Sequence, residues 1–253
     1  MAIKRRITHF SCALALVIAP QVAVAEIALV AVATNFSEVM DVLKADFEVT
    51  SEHELTIVTG STGKLYAQIV NGAPFDVFLA ADQARPERLM ADGLTLGPQV
   101  TYATGQLALW SVDADRIGET GLQALTEPYR RLAIANPQLA PYGVAAKEAL
   151  SALGLLEELQ DRIVMGENIG QTHALVASGN AELGIVALAY AISPRNVAKG
   201  SYWVVPSELH APIHQDAVRT LHANGNPAAY AFMTYLQSDH TKEIIRTYGY
   251  GAE

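Results

Sequence analysis

Residues 27–82 read IALVAVATNFSEVMDVLKADFEVTSEHELTIVTGSTGKLYAQIVNGAPFDVFLAAD, and the alternation inside this stretch decides the fold. Ile27 to Val32 is a continuous apolar run, the signature of a buried strand. Phe36, Val39, Met40, Leu43 and Phe47 follow at steps of three and four, the stripe of a helix that buries one face. Leu55 to Thr59 is a second strand, and Thr62 to Asn71 a second helix with Leu65 and Ile69 one turn apart. Gly72-Ala73-Pro74 stops that helix, Val77 to Leu79 is a third strand, and Pro86 opens another short helix as a first-turn proline can. Strand, helix, strand, helix, strand is the grammar of an α/β fold built from βαβ units.

The same grammar continues downstream. Gln106 to Val112 and Leu132 to Ala135 read as strands, Val144 to Leu153 as a helix ended by Gly154, and Gln171 to Ser178 as a helix stopped by Gly179. Gly184 to Leu188 is strand-like, and Pro227 to Leu236 and Thr241 to Tyr248 are closing helices, the last capped by Gly249. No internal repeat, low-complexity tract or long charge run interrupts the pattern.

Composition narrows the function classes. The 253 residues carry 17 Lys and Arg against 26 Asp and Glu, a formal charge of −9, with 51% hydrophobic and 17% charged residues and one cysteine. Such a chain has a sizeable core to bury, which excludes intrinsic disorder, and it lacks the clustered cations that bind nucleic acid. Its N-terminus reads as a secretory signal: Lys4, Arg5 and Arg6, then an apolar stretch from Phe10 to Pro20, then Ala23-Val24-Ala25, with cleavage expected after Ala25. The apolar stretch is shorter than the ~20 residues a membrane span needs. Cys12 lies within it. Without residues 1–25 there remain 228 residues, 14 basic side chains against 26 acidic ones, a net charge of −12 and no cysteine, hence no thiol nucleophile and no thiolate metal site.

Four times a small, uncharged, donor-rich segment leads into a helix: Thr34-Asn35, Ser61-Thr62-Gly63, Pro141-Tyr142-Gly143 and Asn168-Ile169-Gly170-Gln171. Each taken alone is an ordinary N-cap. Together they are a ready anion site, because helix starts leave N–H groups unsatisfied and carry partial positive charge. The first two follow consecutive strands, so they emerge at the strand ends where open α/β sheets bind ligands, and the other two are placed to supply an opposing wall. Gly63, Gly143 and Gly170 are expected to let the backbone come close to a ligand.

The runs VATNFSEVMDVLKADFE, GSTGKLYAQIVNGAPFDVFLAAD, AIANPQLAPYGVAAKEAL, GENIGQTHALVASGNAELGIVAL and IIRTYGY resemble, in order and over nearly the whole chain after residue 25, the periplasmic molybdate-binding ModA family of ABC importers. The most specific stretches are Gly63 to Asp82 and Ala133 to Leu150. The resemblance implies a bilobal periplasmic binding protein fold of type II. Residues 26–106 with 206–253 form one lobe and 107–205 the other, joined by a two-crossing hinge. It implies molybdate, and tungstate, as the transported ligand in the cleft, an ABC permease as partner, a periplasmic monomer, no cofactor and no catalytic residue. The binding positions it carries over are Thr34, Asn35, Thr62, Tyr142 and Ile169. Tyr142 and Ile169 act through main-chain N–H, the others with side-chain donors available, and no protein atom ligates the metal directly. The chain matches the Thr-Asn subgroup. Where some members place a tyrosine after the Leu-Gly-Ile-Val strand it has Ala187, so that phenolic contact is expected to be absent and Asn35 to compensate.

Other candidates carry less. His210 and His214 are four apart but Pro212 breaks any helix between them, which argues against a zinc pair. His173, beside Gln171 and Thr172, reads as packed or solvated, Trp110 and Trp203 as core or cleft-rim packing, and Lys147 and Glu148 as a solvated face. Gly60 to Lys64 does not meet the spacing of a phosphate loop. An enzyme on the same two-lobed fold, such as hydroxymethylbilane synthase, depends on a cofactor-bearing cysteine, and no loop supplies a His–carboxylate pair. A binding protein for sulfate or another oxyanion is the nearer alternative.

Overall fold

A computed structural model describes residues 25–252; the expected signal segment up to Val24, with Cys12, lies outside the described residues. Ten strands form two five-stranded sheets. The first sheet has the order β2-β1-β3-β10-β4, from β1 (Ile27–Ala33), β2 (Glu54–Gly60), β3 (Val77–Leu79), β4 (Thr95–Gly105) and β10 (Ile213–Thr220). The second has the order β7-β6-β8-β5-β9, from β5 (Leu107–Ser111), β6 (Leu132–Ala135), β7 (Ile163–Gly166), β8 (Leu183–Ala187) and β9 (Ser201–Val204). In each, three parallel strands are followed by one that runs against them, β10 or β5, and then by an edge strand, β4 or β9, that is antiparallel to that one.

The helices are α1 (Ser37–Thr50), α2 (Thr62–Val70), α3 (Ala84–Ala91), α4 (Gly121–Thr126), α5 (Pro141–Ala152), α6 (Leu156–Leu159), α7 (Ile169–Ala177), α8 (Leu188–Ile192), α9 (Pro227–Leu236) and α10 (Asp239–Thr247). The stripe read from the sequence is the face that α1 buries: Val39, Met40, Leu43 and Phe47, preceded by Phe36, pack on Val30, Val32 and the closing helices. Phe47 meets Phe232 edge-on at 5.6 Å. Burial at about 25 cal/mol per Å² of apolar surface is what holds this stripe down.

The chain passes between the sheets twice, at Gln106 between β4 and β5 and again between β9 and β10. Gly105 at the first crossing has no room for a side chain, since a Cβ there would collide with the Tyr142 hydroxyl. The C-terminal tail is pinned beside it, Gly251 exchanging backbone bonds with Thr104 at 2.7 and 2.9 Å. β4, β7, β9 and β10 are absent from the sequence reading, β4 and β10 for physical reasons. β4 contains Gly97 and Pro98, which demote a strand read from sequence. β10 pairs with it through two register shifts that break strict alternation.

Candidate functional site

Two of the four helices begin earlier than their apolar spacing predicts. α5 starts at Pro141 instead of Val144, its proline pre-set for the first turn. α7 starts at Ile169 instead of Gln171, because the Asn168 side chain accepts the Gln171 N–H at 2.9 Å. Tyr142 and Ile169 therefore sit inside first turns, as Thr62 does in α2, where a main-chain N–H has no intrahelical acceptor. Among the described residues none of these three amides donates to another backbone carbonyl. Thr34 and Asn35 occupy a 3-10 turn, Thr34–Phe36, that carries β1 into α1.

Thr34, Asn35, Thr62, Tyr142 and Ile169 all line one narrow recess of about 10 Å³, together with Ser61 and Asn168. That is about the room of a single water molecule and far below the ~300–1,000 Å³ of sites for drug-sized organic ligands, so the two walls stand close together around it. No Lys, Arg, His, Asp or Glu lines it. An anion entering it meets helix-start dipoles and amides, with no countercharge and no carboxylate to repel it.

The glycines act differently from expectation: each admits another piece of protein, not a ligand. A Cβ on Gly143 would collide with the Ala135 carbonyl, and one on Gly170 would stand 2.5 Å from Thr34 Cγ2. Gly63 donates its N–H to the Leu139 carbonyl at 2.9 Å, so α2 and the segment leading into α5 touch through backbone alone.

Hydrogen bonding also sorts the side chains. The Thr34 hydroxyl donates to the Gly60 carbonyl at 2.9 Å, and Thr62 Oγ1 accepts the Ala81 N–H at 3.2 Å. The Asn35 amide donates to Gln215 Oε1 at 2.8 Å and to the Tyr250 hydroxyl at 3.2 Å. Gln215 in turn receives the Tyr102 hydroxyl at 3.1 Å and donates to the Tyr142 hydroxyl at 3.3 Å. Asn35 is thus the front of a buried network, and its NH2 group is committed there instead of compensating for a missing phenol. Burial pushes the Tyr102, Tyr142 and Tyr250 hydroxyls well above the ordinary phenol value, which keeps all three neutral.

A phenol does approach the site from the Leu-Gly-Ile-Val strand, from a position the sequence reading passed over. Tyr190 in α8 donates to the Thr34 carbonyl at 2.6 Å and lies 3.3 Å from Ser37 Oγ. Its ring stacks on His173, which stacks on Trp110, at centroid distances of 5.0 and 4.6 Å. His173 is accordingly a packed residue whose pKa burial lowers. Trp110 is fully buried and Trp203 packs against the core. Glu148 is not merely solvated, since it accepts the Ala211 N–H at 2.9 Å. His214 meets Thr104 Oγ1 at 3.1 Å and His210 the neighbouring Ala211 carbonyl. Lys64 pairs with Glu167 at 2.5 Å.

Comparison with known proteins bears on the family and the fold. The profile of the bacterial extracellular solute-binding protein family matches residues 28–251. The molybdate-binding protein ModA of Azotobacter vinelandii is 44% identical over 225 residues, covering 88% of this chain and 89% of its own. The ModA of Rhodobacter capsulatus is 41% identical, covering 89% and 88%. The solved structure of the Azotobacter vinelandii periplasmic molybdate-binding protein superposes with a TM-score of 0.85 at 40% identity, over 89% of this chain and 99% of that one.

Proposed function

The chain belongs to the molybdate-binding ModA family of bacterial extracellular solute-binding proteins, and from that premise we propose that it captures molybdate, and tungstate, in the recess between its two sheets and hands it to an ABC permease. It is a binding protein, not an enzyme. It works in the periplasm as a monomer, released from its signal segment after Ala25 and without a cofactor of its own. One lobe comprises residues 26–106 with 206–253 and the other 107–205. Ligand shifts the population toward the closed arrangement about the two crossings.

The observation that carries this reading is the convergence of Thr34, Asn35, Thr62, Tyr142 and Ile169, each at a helix start, on one recess with no charged residue. A hydrogen bond to a charged group contributes about 1.5–3 kcal/mol net. Sub-micromolar affinity needs about 8 kcal/mol or more, so five amides supplemented by hydroxyls suffice after ordering and desolvation are subtracted. A site made of donors also rejects an oxyanion that keeps a proton, because that proton would face N–H groups instead of an acceptor. Fully ionised molybdate and tungstate are favoured over hydrogen phosphate on that ground, and the molybdate-binding relatives favour molybdate over sulfate.

Melting-temperature shifts with molybdate, tungstate, sulfate and phosphate, followed by calorimetric titration, test the proposal. Molybdate and tungstate are expected to raise the midpoint far more than the other two. Sulfate bound as tightly as molybdate would overturn the specificity, and no response to any oxyanion would overturn the function.

A further inference from the structure

We propose that the Ser61 hydroxyl is a side-chain donor that the recess holds for its ligand beside that of Thr62, while the polar side chains of Thr34 and Asn35 serve to hold the wall. This rests on the function proposed above and adds a residue to the five positions that the family resemblance carries over.

The case rests on what each polar side chain around the recess already does, and the Thr62 hydroxyl accepts the Ala81 N–H while keeping its own proton to give. Thr34 spends its hydroxyl proton on the Gly60 carbonyl, and Asn35 spends its NH2 on Gln215 and Tyr250. Asn168 uses its oxygen to cap α7. Ser61 lines the same recess, is only 2% exposed, and its Oγ has no hydrogen-bond partner at all. It is also the N-cap of α2, where a serine oxygen ordinarily accepts an N–H of the first turn, yet it makes no cap bond. The Gly63 N–H that such a cap serves is taken by Leu139 from the opposite wall. A buried hydroxyl left unpaired is costly, so a fold keeps one where something else completes it. An oxyanion seated against the Thr62 amide, one residue along, is within the reach of that hydroxyl. A hydroxyl rotates freely and donates one proton, so it adds a charge-assisted bond without importing a charge.

The test uses the full chain after signal removal, with sodium molybdate as the titrant, and compares wild type with Ser61→Ala and Ser61→Cys. Ser61→Ala is expected to weaken molybdate binding about ten- to a hundredfold, the worth of one hydrogen bond to a charged group. The melting temperature of the ligand-free variant should equal or exceed that of wild type, since the substitution deletes an unpaired polar group. Ser61→Cys, close in shape but a poorer donor, should fall between the two in affinity. Molybdate affinity in Ser61→Ala within twofold of wild type overturns the assignment. So does a lowered ligand-free midpoint with Ser61→Cys binding as tightly as wild type, which would mark Ser61 as structural. A wild-type protein that binds no molybdate overturns instead the function on which the assignment rests.

Discussion

The two walls of the recess are made by different means. The first-sheet wall, Thr34, Asn35, Ser61 and Thr62, presents polar side chains as well as amides, and behind it a network runs from Asn35 through Gln215 to Tyr102, Tyr142 and Tyr250. The second-sheet wall presents Tyr142 and Ile169, whose side chains are 1% and 3% exposed and belong to the hydrophobic core of that half. On the proposed function the ligand would meet the main chain of these two residues, their side chains positioning it from beneath, with Asn168 beside them capping α7. Side-chain identity should therefore govern affinity on the first wall and stability on the second.

The largest effect expected is from Asn35→Asp. It puts a carboxylate into a neutral, nearly water-free wall, where a like charge facing an anion costs several kcal/mol. Calorimetry should show molybdate affinity reduced by about a thousandfold or more; a loss under tenfold would break the view of the first wall as an electrostatically neutral donor surface. On the second wall Ile169→Val should do the reverse. Removing one buried methylene costs about 0.5–1.5 kcal/mol of stability, a few degrees in melting temperature, while the amide stays in place and affinity holds within about twofold. A tenfold affinity loss would show that the side chain, and not the main chain, is read there.

The smallest effect concerns pH and the stack under the second wall. His173 lies neutral between Trp110 and Tyr190, its pKa lowered by burial. Between that lowered value and about 6.5, its ordinary value, the unfolded chain binds the extra proton. Stability from this residue is thus complete above about pH 6.5 and is lost as pH falls toward the folded pKa. Melting curves at pH 7.5 and 5.5 should show a smaller acid-induced drop in His173→Phe than in wild type, and equal drops would remove His173 from the acid response.

What the sequence could tell followed the range of the interactions. Helix stripes and glycine stops are local, so Phe36 to Phe47 and the elements around Gly63 to Asp82 were legible, and so were the positions at the helix starts. First-turn boundaries in α5 and α7 were set two or three residues late because apolar spacing begins after the cap, while Pro141 and Asn168 set the start. The Asn35–Gln215 bond spans 180 positions and Asn35–Tyr250 spans 215, and nothing local announces either. Tyr190 was hidden by attention to Ala187, three residues before it. Ser61 was hidden because an N-cap serine is the commonest thing to find at a helix start, and only the missing bond sets it apart.

The direct backbone contact from Gly63 to Leu139 bears on how such a protein is emptied. A neutral cage holds no countercharge for salt to compete with, so salt is an inefficient key. Prising α2 away from the segment before α5 breaks that contact and strips the two second-wall amides from the bound solute together. At about 1.5–3 kcal/mol each, their loss lowers retention by a factor of about 10² to 10⁴. Unloading is then a matter of leverage: whatever holds the two halves apart needs no chemistry of its own.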